Sequence, residues 1–73
     1  MSRWPALSGR QIIKVLSKLG YYETHQTGRH VRLRCENRRS VTVPNYPVVG
    51  RGLLRKILRD AELSPTDFEK LLR

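Results

Sequence analysis

The stretch that decides the fold reads Thr24-His25-Gln26-Thr27-Gly28-Arg29-His30-Val31-Arg32-Leu33-Arg34. After the Gly-Arg pair, basic side chains at positions 30, 32 and 34 alternate with apolar ones that continue to Cys35. Because successive side chains of a strand point to opposite faces, this pattern predicts a strand with one basic face and one core face. The basic face would carry an imidazole and two guanidinium groups, which suits either cleavage of a phosphodiester or passive binding of phosphate.

The Gly28-Arg29 pair predicts a two-residue hairpin turn of type II′, since glycine is preferred at the first central position. Tyr21 to Thr27 is then the partner strand, and its predicted pairs are Thr27 with His30, His25 with Arg32, Glu23 with Arg34, and Tyr22 with Cys35. In this register the core face carries Tyr22, Thr24, Val31, Leu33 and Cys35. The open face carries Tyr21, Glu23, His25, Thr27, His30, Arg32 and Arg34. A slip by one residue would mix the two sets.

A helix is predicted before this hairpin. Ser8 and Gln11 have the spacing of a capping box, and apolar residues at helical spacing follow them. The helix is expected over Gly9 to Leu19, with Gly20 ending it in a left-handed conformation. Trp4 precedes the helix and is expected to cover an edge of the core.

After the hairpin the sequence predicts one more strand and two helices. We expect a turn at Asn37-Arg38-Arg39, a strand over Ser40 to Val43 that Pro44 ends, and a loop from Asn45 to Gly50. A second helix is marked by Leu53, Leu54, Ile57, Leu58 and Ala61. A short C-terminal helix starts at Ser64-Pro65-Thr66-Asp67, with an N-cap serine, a proline at the first position and an acid at the third.

Together these elements predict one α+β domain over residues 1–73. Its order is α-β-β-β-α with a short C-terminal helix, and its three-stranded antiparallel sheet packs on the helices. That order is similar to the double-stranded-RNA-binding domain. A chain of this size has a limited core and leaves no room for a cofactor-binding fold, so no cofactor is expected.

Charge indicates the class of partner. The chain has 15 Lys and Arg against 6 Asp and Glu, a net charge of +9. So large a positive charge favours a polyanionic partner: RNA, DNA, an anionic membrane or an acidic protein. The predicted second helix has a basic face that would contact backbone phosphates, unless it is simply solvated. This face comprises Arg51, Arg55, Lys56 and Arg59.

The sequence provides little evidence for a disulfide-bonded, metal-binding, secreted or membrane-spanning protein. Cys35 is the one cysteine, which excludes an intramolecular disulfide and a cysteine-rich metal site, and it is expected in the core. Two histidines on one strand face, with no nearby cluster of acids, do not supply a usual metal site, so no metal is expected. Residues 1–5 are not followed by the apolar stretch of a signal peptide, and no apolar run reaches the length of a membrane span. A cytoplasmic location without a membrane partner is therefore expected.

Four segments together resemble the HicA toxins, the small messenger-RNA interferases of bacterial type II toxin–antitoxin pairs. The segments are Ser8 to Ile13 followed by Leu19-Gly20-Tyr21, then Gly28-Arg29-His30, then Arg39 to Pro44, and last Gly52 to Ala61 followed by Leu63-Ser64. The resemblance covers about residues 7–72, and their order and spacing are more specific than any one segment. It implies a double-stranded-RNA-binding-like fold, metal-independent cleavage of messenger RNA, and a cognate HicB-like antitoxin as partner.

The resemblance also implies a catalytic residue. The family uses a histidine in a Gly-Ser-His motif, which matches His30 here, with Gly28 as the turn residue and Arg29 at the position of the serine. His30 would act as general base or acid on a ribose 2′-hydroxyl, since histidine exchanges protons close to neutral pH. Arg32 and Arg34 would bind phosphate or stabilise negative charge in the transition state, and Arg29 would hold phosphate.

Three other residues keep two interpretations. His25 would either share the acid and base roles with His30 or be a bystander. Tyr21 and Tyr46 would either stack on bases or pack within the protein. For the whole chain, the alternative is a non-catalytic double-stranded-RNA-binding-like module, in which His30 is not needed. A DNA-binding accessory protein is a weaker third reading, because the sequence shows no helix-turn-helix pair with a recognition helix.

Overall fold

A computed structural model describes residues 6–72, so the expectation for Trp4 lies outside the described part of the chain. Its elements are α1 Gly9–Ser17, β1 Tyr22–Thr27, β2 His30–Cys35, β3 Arg38–Pro44, α2 Arg51–Asp60 and α3 Pro65–Leu72. The strands form one antiparallel sheet in the order β1-β2-β3. This confirms the predicted α+β class and its element order, although α1 ends at Ser17 and not at Leu19.

The core lies between one face of the sheet and the helices. Val31 and Leu33 of β2 and Val41 and Val43 of β3 are almost completely buried, and Phe68 of α3 is fully buried. Apolar residues of α1 and α2 complete the cluster. Burial of each such side chain contributes roughly 1.5–3 kcal/mol, so the apolar residues of β2 and β3 fix which face of the sheet turns inward. The alternating residues of β2 are exposed on the other face, which we call the open face.

Local backbone signals in the sequence are confirmed at the start of α1 and at both ends of β1. The Ser8 hydroxyl accepts a hydrogen bond from the Gln11 backbone N–H at 3.1 Å, and the Gln11 side chain accepts one from the Ser8 N–H at 2.9 Å, which completes the capping box. Gly20 has φ +106° after α1, and Gly28 has φ +58° at the hairpin. Within residues 6–72 Glu62 is the one non-glycine residue with positive φ, so Arg29 has negative φ and the turn is type II′ as predicted.

A β-bulge in β1 corrects the predicted register. Thr27 pairs with His30 and His25 with Arg32 as expected, but beyond the bulge Glu23 pairs with Leu33 and Tyr22 with Arg34. Thr24 is the extra residue. The predicted pairs of Glu23 with Arg34 and of Tyr22 with Cys35 are therefore wrong, because a bulge shifts every residue beyond it to the opposite face.

The bulge reverses the expected sides of Tyr21, Tyr22 and Glu23. Tyr21 is 4% exposed and its hydroxyl donates to the Arg39 carbonyl at 2.7 Å, while burial and the Cys35 thiol raise the pKa of its phenol. Its role is thus packing and not base stacking. Glu23 pairs with Arg10 of α1 at 3.2 Å. Tyr22, expected in the core, is on the open face and 49% exposed, and Thr24 is exposed too.

The connection between β2 and β3 also differs from the prediction. The turn is Glu36-Asn37, and Arg38 and Arg39 belong to β3. The half-buried Arg38 donates to the carbonyls of Ala61 and Glu62 at 2.9 and 3.0 Å. These carbonyls lie at the C-terminus of α2, where a cation is favourable. Arg38 therefore ties the end of α2 to the start of β3, and α2 runs antiparallel to β3, with its N-terminus toward Pro44.

Gly9 is packed so closely that a side chain would not fit. A Cβ atom at this position would overlap the Pro44 carbonyl oxygen and lie 2.7 Å from the Asn45 Cα. The obstacle is backbone, which cannot rotate away. Because Pro44 is the ladder partner of His30, this contact fixes the distance between α1 and the His30 end of the sheet.

We expect Gly9→Ala to lower the free energy of unfolding by about 1–3 kcal/mol, the usual cost of overpacking. Gly52→Ala in α2 is the matched control, because no atom lies within 4 Å of its would-be Cβ. Alanine is the better helix former, so the control should be unchanged or gain up to about 1 kcal/mol. Urea titration of both variants measures the difference. Equal stabilities would contradict the close packing of α1 on Pro44.

Candidate active site

The open face is built around the central strand β2. His30 lies between Thr27 of β1 and Pro44 of β3, and Arg32 lies between His25 and Thr42. Residues directly opposite in an antiparallel ladder project to the same face, so the imidazole and guanidinium groups share the open face with these neighbours. His30, Arg32 and His25 are all exposed, as the sequence predicted.

Arg32 is held across the sheet. Its Nη1 donates a hydrogen bond to the Thr42 hydroxyl at 2.9 Å. A guanidinium group has five N–H donors in a planar fork, and this bond uses one of them. Arg32 is therefore restrained on the open face and still has donors for the oxygens of a phosphate, which it can bind in a forked geometry.

The His30 ring lies beside an aromatic side chain. The ring centroids of His30 and Tyr46 are 6.5 Å apart with an interplanar angle of 70°, an edge-to-face arrangement. Within residues 6–72 the His30 side chain has no hydrogen bond and no ion pair. Both ring nitrogens are thus open to a ligand on this side of the sheet.

Two backbone hydrogen bonds place Tyr46 next to His30. The Asn45 N–H donates to the Arg29 carbonyl at 2.6 Å, which ties the loop after β3 to the tip of the hairpin. The Gly9 N–H donates to the Tyr46 carbonyl at 2.9 Å, which ties the same loop to the start of α1. The neighbourhood of His30 is therefore assembled from the hairpin, the loop and α1 together.

His25 is a diagonal neighbour of His30 across β1 and β2. Such diagonal positions are roughly 7–8 Å apart, close enough for two side chains to contact the same nucleotide. The His25 Nδ1 lies 3.5 Å from the Thr24 hydroxyl, at the bulge. The geometry thus keeps both interpretations of His25, as a partner in proton transfer or as a bystander.

Arg29 and Arg34 extend the positive charge along the hairpin. Both are exposed, Arg29 in the turn and Arg34 two positions beyond Arg32. Arg34 was expected to face Glu23, but that carboxylate pairs with Arg10 on the helical side of the sheet. The predicted partner therefore does not neutralise Arg34, whose ladder neighbour is the exposed Tyr22.

The basic residues of α2 form a separate surface. Leu54, Ile57 and Leu58 turn toward the core, whereas the predicted basic face is exposed, comprising Arg51, Arg55, Lys56 and Arg59. Lys56 is paired with Asp60 at 3.3 Å. Because α2 lies in the helical layer, the structure does not bring these residues together with His30 on the open face. The predicted RNA-binding residues thus divide between two surfaces.

Residues 6–72 contain no group of three His, Cys, Asp or Glu side chains that could hold a metal ion. None of the helices in this part of the chain is both long and apolar enough to cross a membrane. Cys35 is half-buried as a free thiol, 3.7 Å from the Leu19 carbonyl oxygen, and packs against the core as expected.

A comparison with known protein families identifies the family of this chain. Residues 9–63 match the model of the HicA toxins of bacterial toxin–antitoxin systems. The chain belongs to the HicA toxin family. This membership supports a role as the toxin of a toxin–antitoxin pair, for which a cognate antitoxin is the implied kind of partner. No curated protein matched the chain.

We expect the α2 surface to contribute to RNA affinity through its charge. Arg55→Ala and Arg59→Ala should each reduce the slope of log affinity against log salt by roughly 0.7–0.9, the contribution of one phosphate contact. Arg10→Ala is the control, because it removes the same charge from a residue already paired with Glu23. Filter binding over a range of salt concentrations measures the slopes. Equal losses in all three variants would show that overall charge, and not the α2 surface, governs binding.

Proposed function

We propose that this HicA-family chain is a metal-independent endoribonuclease that cleaves messenger RNA in the cytoplasm and is neutralised by a cognate HicB-like antitoxin. The observation that carries the proposal is the exposed His30 ring at the position of the family's motif histidine, beside the restrained Arg32. A proton-transfer group next to a fixed positive charge is the minimum that cleavage of RNA by its own 2′-hydroxyl requires.

In the proposed mechanism His30 accepts the proton of the ribose 2′-hydroxyl. The freed oxygen attacks the adjacent phosphorus, and the bond from phosphorus to the 5′-oxygen breaks, which leaves a 2′,3′-cyclic phosphate on one product. The departing 5′-oxygen takes up a proton, either from His25 or from water. Each of these proton transfers involves a side chain of this chain or solvent, and no cofactor takes part.

The arginines of the hairpin have two different roles in this mechanism. Arg32 lies next to His30 along the open face and stabilises the negative charge that develops on the phosphate oxygens. Arg34 and Arg29 hold the neighbouring phosphates and so fix the position of the scissile bond. Arg29 stands where the family usually has serine, and the longer cationic side chain binds phosphate at that position.

The positive charge of the open face also indicates what kind of surface the antitoxin has. A cognate inhibitor of this toxin would present acidic side chains to the open face and cover His30. Opposite charges on the two surfaces speed the encounter, so the inhibitor finds the toxin quickly after synthesis.

His30→Ala should separate cleavage from binding. The side chain is exposed, so stability should change by no more than about 0.5 kcal/mol. RNA affinity should largely persist through the arginines, while cleavage falls roughly 10²–10⁴-fold with loss of the acid–base group. Growth of cells expressing the wild type should stop and be restored by co-expression of a cognate antitoxin, whereas cells expressing the variant grow without it. His25→Ala is the matched control, and a smaller loss would mark His25 as secondary.

Cleavage assays with other substrates and with EDTA give the outcomes that would contradict the proposal. Full cleavage by His30→Ala would remove His30 from the mechanism. Cleavage of DNA, or of RNA with a 2′-deoxy group at the scissile position, would exclude attack by the 2′-hydroxyl, and inhibition by EDTA would exclude a metal-independent reaction. Tight RNA binding with no cleavage by the wild type would favour the alternative of a non-catalytic RNA-binding module.

A further inference from the structure

Tyr22 is an exposed aromatic residue that the proposed reaction does not use. Among the described residues the large hydrophobic side chains at the surface are Tyr22, Tyr46 and Val48, at 49%, 36% and 60% exposed. The neighbours of Tyr22 turn the other way: Tyr21 is buried with its hydroxyl on Arg39, and Glu23 is paired with Arg10. These two contacts leave Tyr22 on the open face.

Tyr22 and Tyr46 lie at opposite ends of one strip of side chains. Tyr46 contacts His30 edge-on, and Tyr22 is the ladder partner of Arg34. His30 and Arg34 are separated along β2 by about 13 Å, at roughly 3.3 Å per residue. We call this row the β2 strip, and it comprises Tyr46, His30, Arg32, Arg34 and Tyr22.

We propose that the β2 strip binds single-stranded RNA in an extended conformation, with a base stacked on Tyr22 and phosphates on Arg32 and Arg34. The inference rests on the proposed function and adds to it the class of substrate and a residue that contacts it. Tyr22 lies at the end of the strip that is remote from His30, so the place where a base is held is separate from the place where the backbone is cut.

The physical properties of the strip favour a single strand over a duplex. Bases of a single strand can unstack and lie on an aromatic ring, whereas bases within a duplex are stacked on each other and cannot reach it. The strip carries two guanidinium groups and an imidazole but no carboxylate. No Asp or Glu belongs to it, and Glu23 is held on the helical side of the sheet. The positive charge of the strip is complementary to an RNA backbone, which carries one negative phosphate per nucleotide.

The binding test uses His30→Ala as the background, so that RNA stays intact. Adding Tyr22→Ala should weaken binding of a single-stranded oligonucleotide about fivefold or more, which corresponds to the loss of one stacked base. Tyr22→Phe should retain the affinity because the ring remains. Val48→Ala removes an exposed apolar group outside the strip and is the control for a non-specific surface effect. Fluorescence anisotropy measures all four proteins, with the same oligonucleotide annealed to its complementary strand as a second, fully duplex probe.

The outcomes separate this inference from the proposed function. A loss confined to single-stranded RNA and reversed by Tyr22→Phe supports stacking. Equal losses on both probes would show that the contact does not require unstacked bases, and would overturn the inference. A loss in Tyr22→Phe as well would assign the contact to the hydroxyl, and would also overturn it. Unchanged RNA affinity in Tyr22→Ala would also overturn it, including the case in which the variant loses only its binding to the antitoxin. Cleavage by the wild type is measured separately, so its absence would contradict the nuclease and leave the result for Tyr22 valid.

Discussion

The structure depends on the alternation of side chains along β2. Val31 and Leu33 are buried to within 1% of completely, and the strand is hydrogen-bonded to a neighbour on each side. Burial of these two side chains favours one face by a few kcal/mol, so a shift by one residue would both expose the core and bury His30, Arg32 and Arg34. The energy that folds the sheet is thus the energy that keeps the basic side chains on the open face.

The surroundings of His30 depend on contacts from distant parts of the chain. The loop after β3 is bonded to the hairpin at Arg29 and to α1 at Gly9, and these bonds place Tyr46 against the imidazole. Gly9 can approach this loop closely enough to form its hydrogen bond because it has no side chain that would clash with Pro44. Arg38 secures the far end of β3 to the end of α2. The site is therefore as stable as the packing of α1 and α2 on β3.

Local signals in the sequence predicted most of the fold and the placement of the candidate site residues of β2 on one face. The capping box, the type II′ turn and the apolar spacing of α2 depend on residues close to one another, and so does the sharing of one face by His25, His30 and Arg32. The bulge at Thr24 could not be predicted in this way. Tyr21 and Tyr22 are equally suited to a core position. Tyr21 is the buried one because its hydroxyl donates to the Arg39 carbonyl and because Glu23 pairs with Arg10, and both partners are distant in sequence. The position of the turn at Glu36-Asn37 could not be predicted for a similar reason. Arg38 belongs to β3 and not to the turn, and its side chain is held by carbonyls at the end of α2, which are distant in sequence.

The central claim is that RNA is bound on the open face of the sheet, where His30 lies. NMR chemical-shift mapping tests it most directly, with ¹⁵N-labelled protein and a single-stranded RNA that carries a 2′-deoxy group at the scissile position. The account predicts that the largest shifts fall on the backbone amides of Tyr22, His30, Arg32 and Arg34, with smaller salt-sensitive shifts along α2. Large shifts confined to α2, with the amides of β2 unchanged, would contradict it.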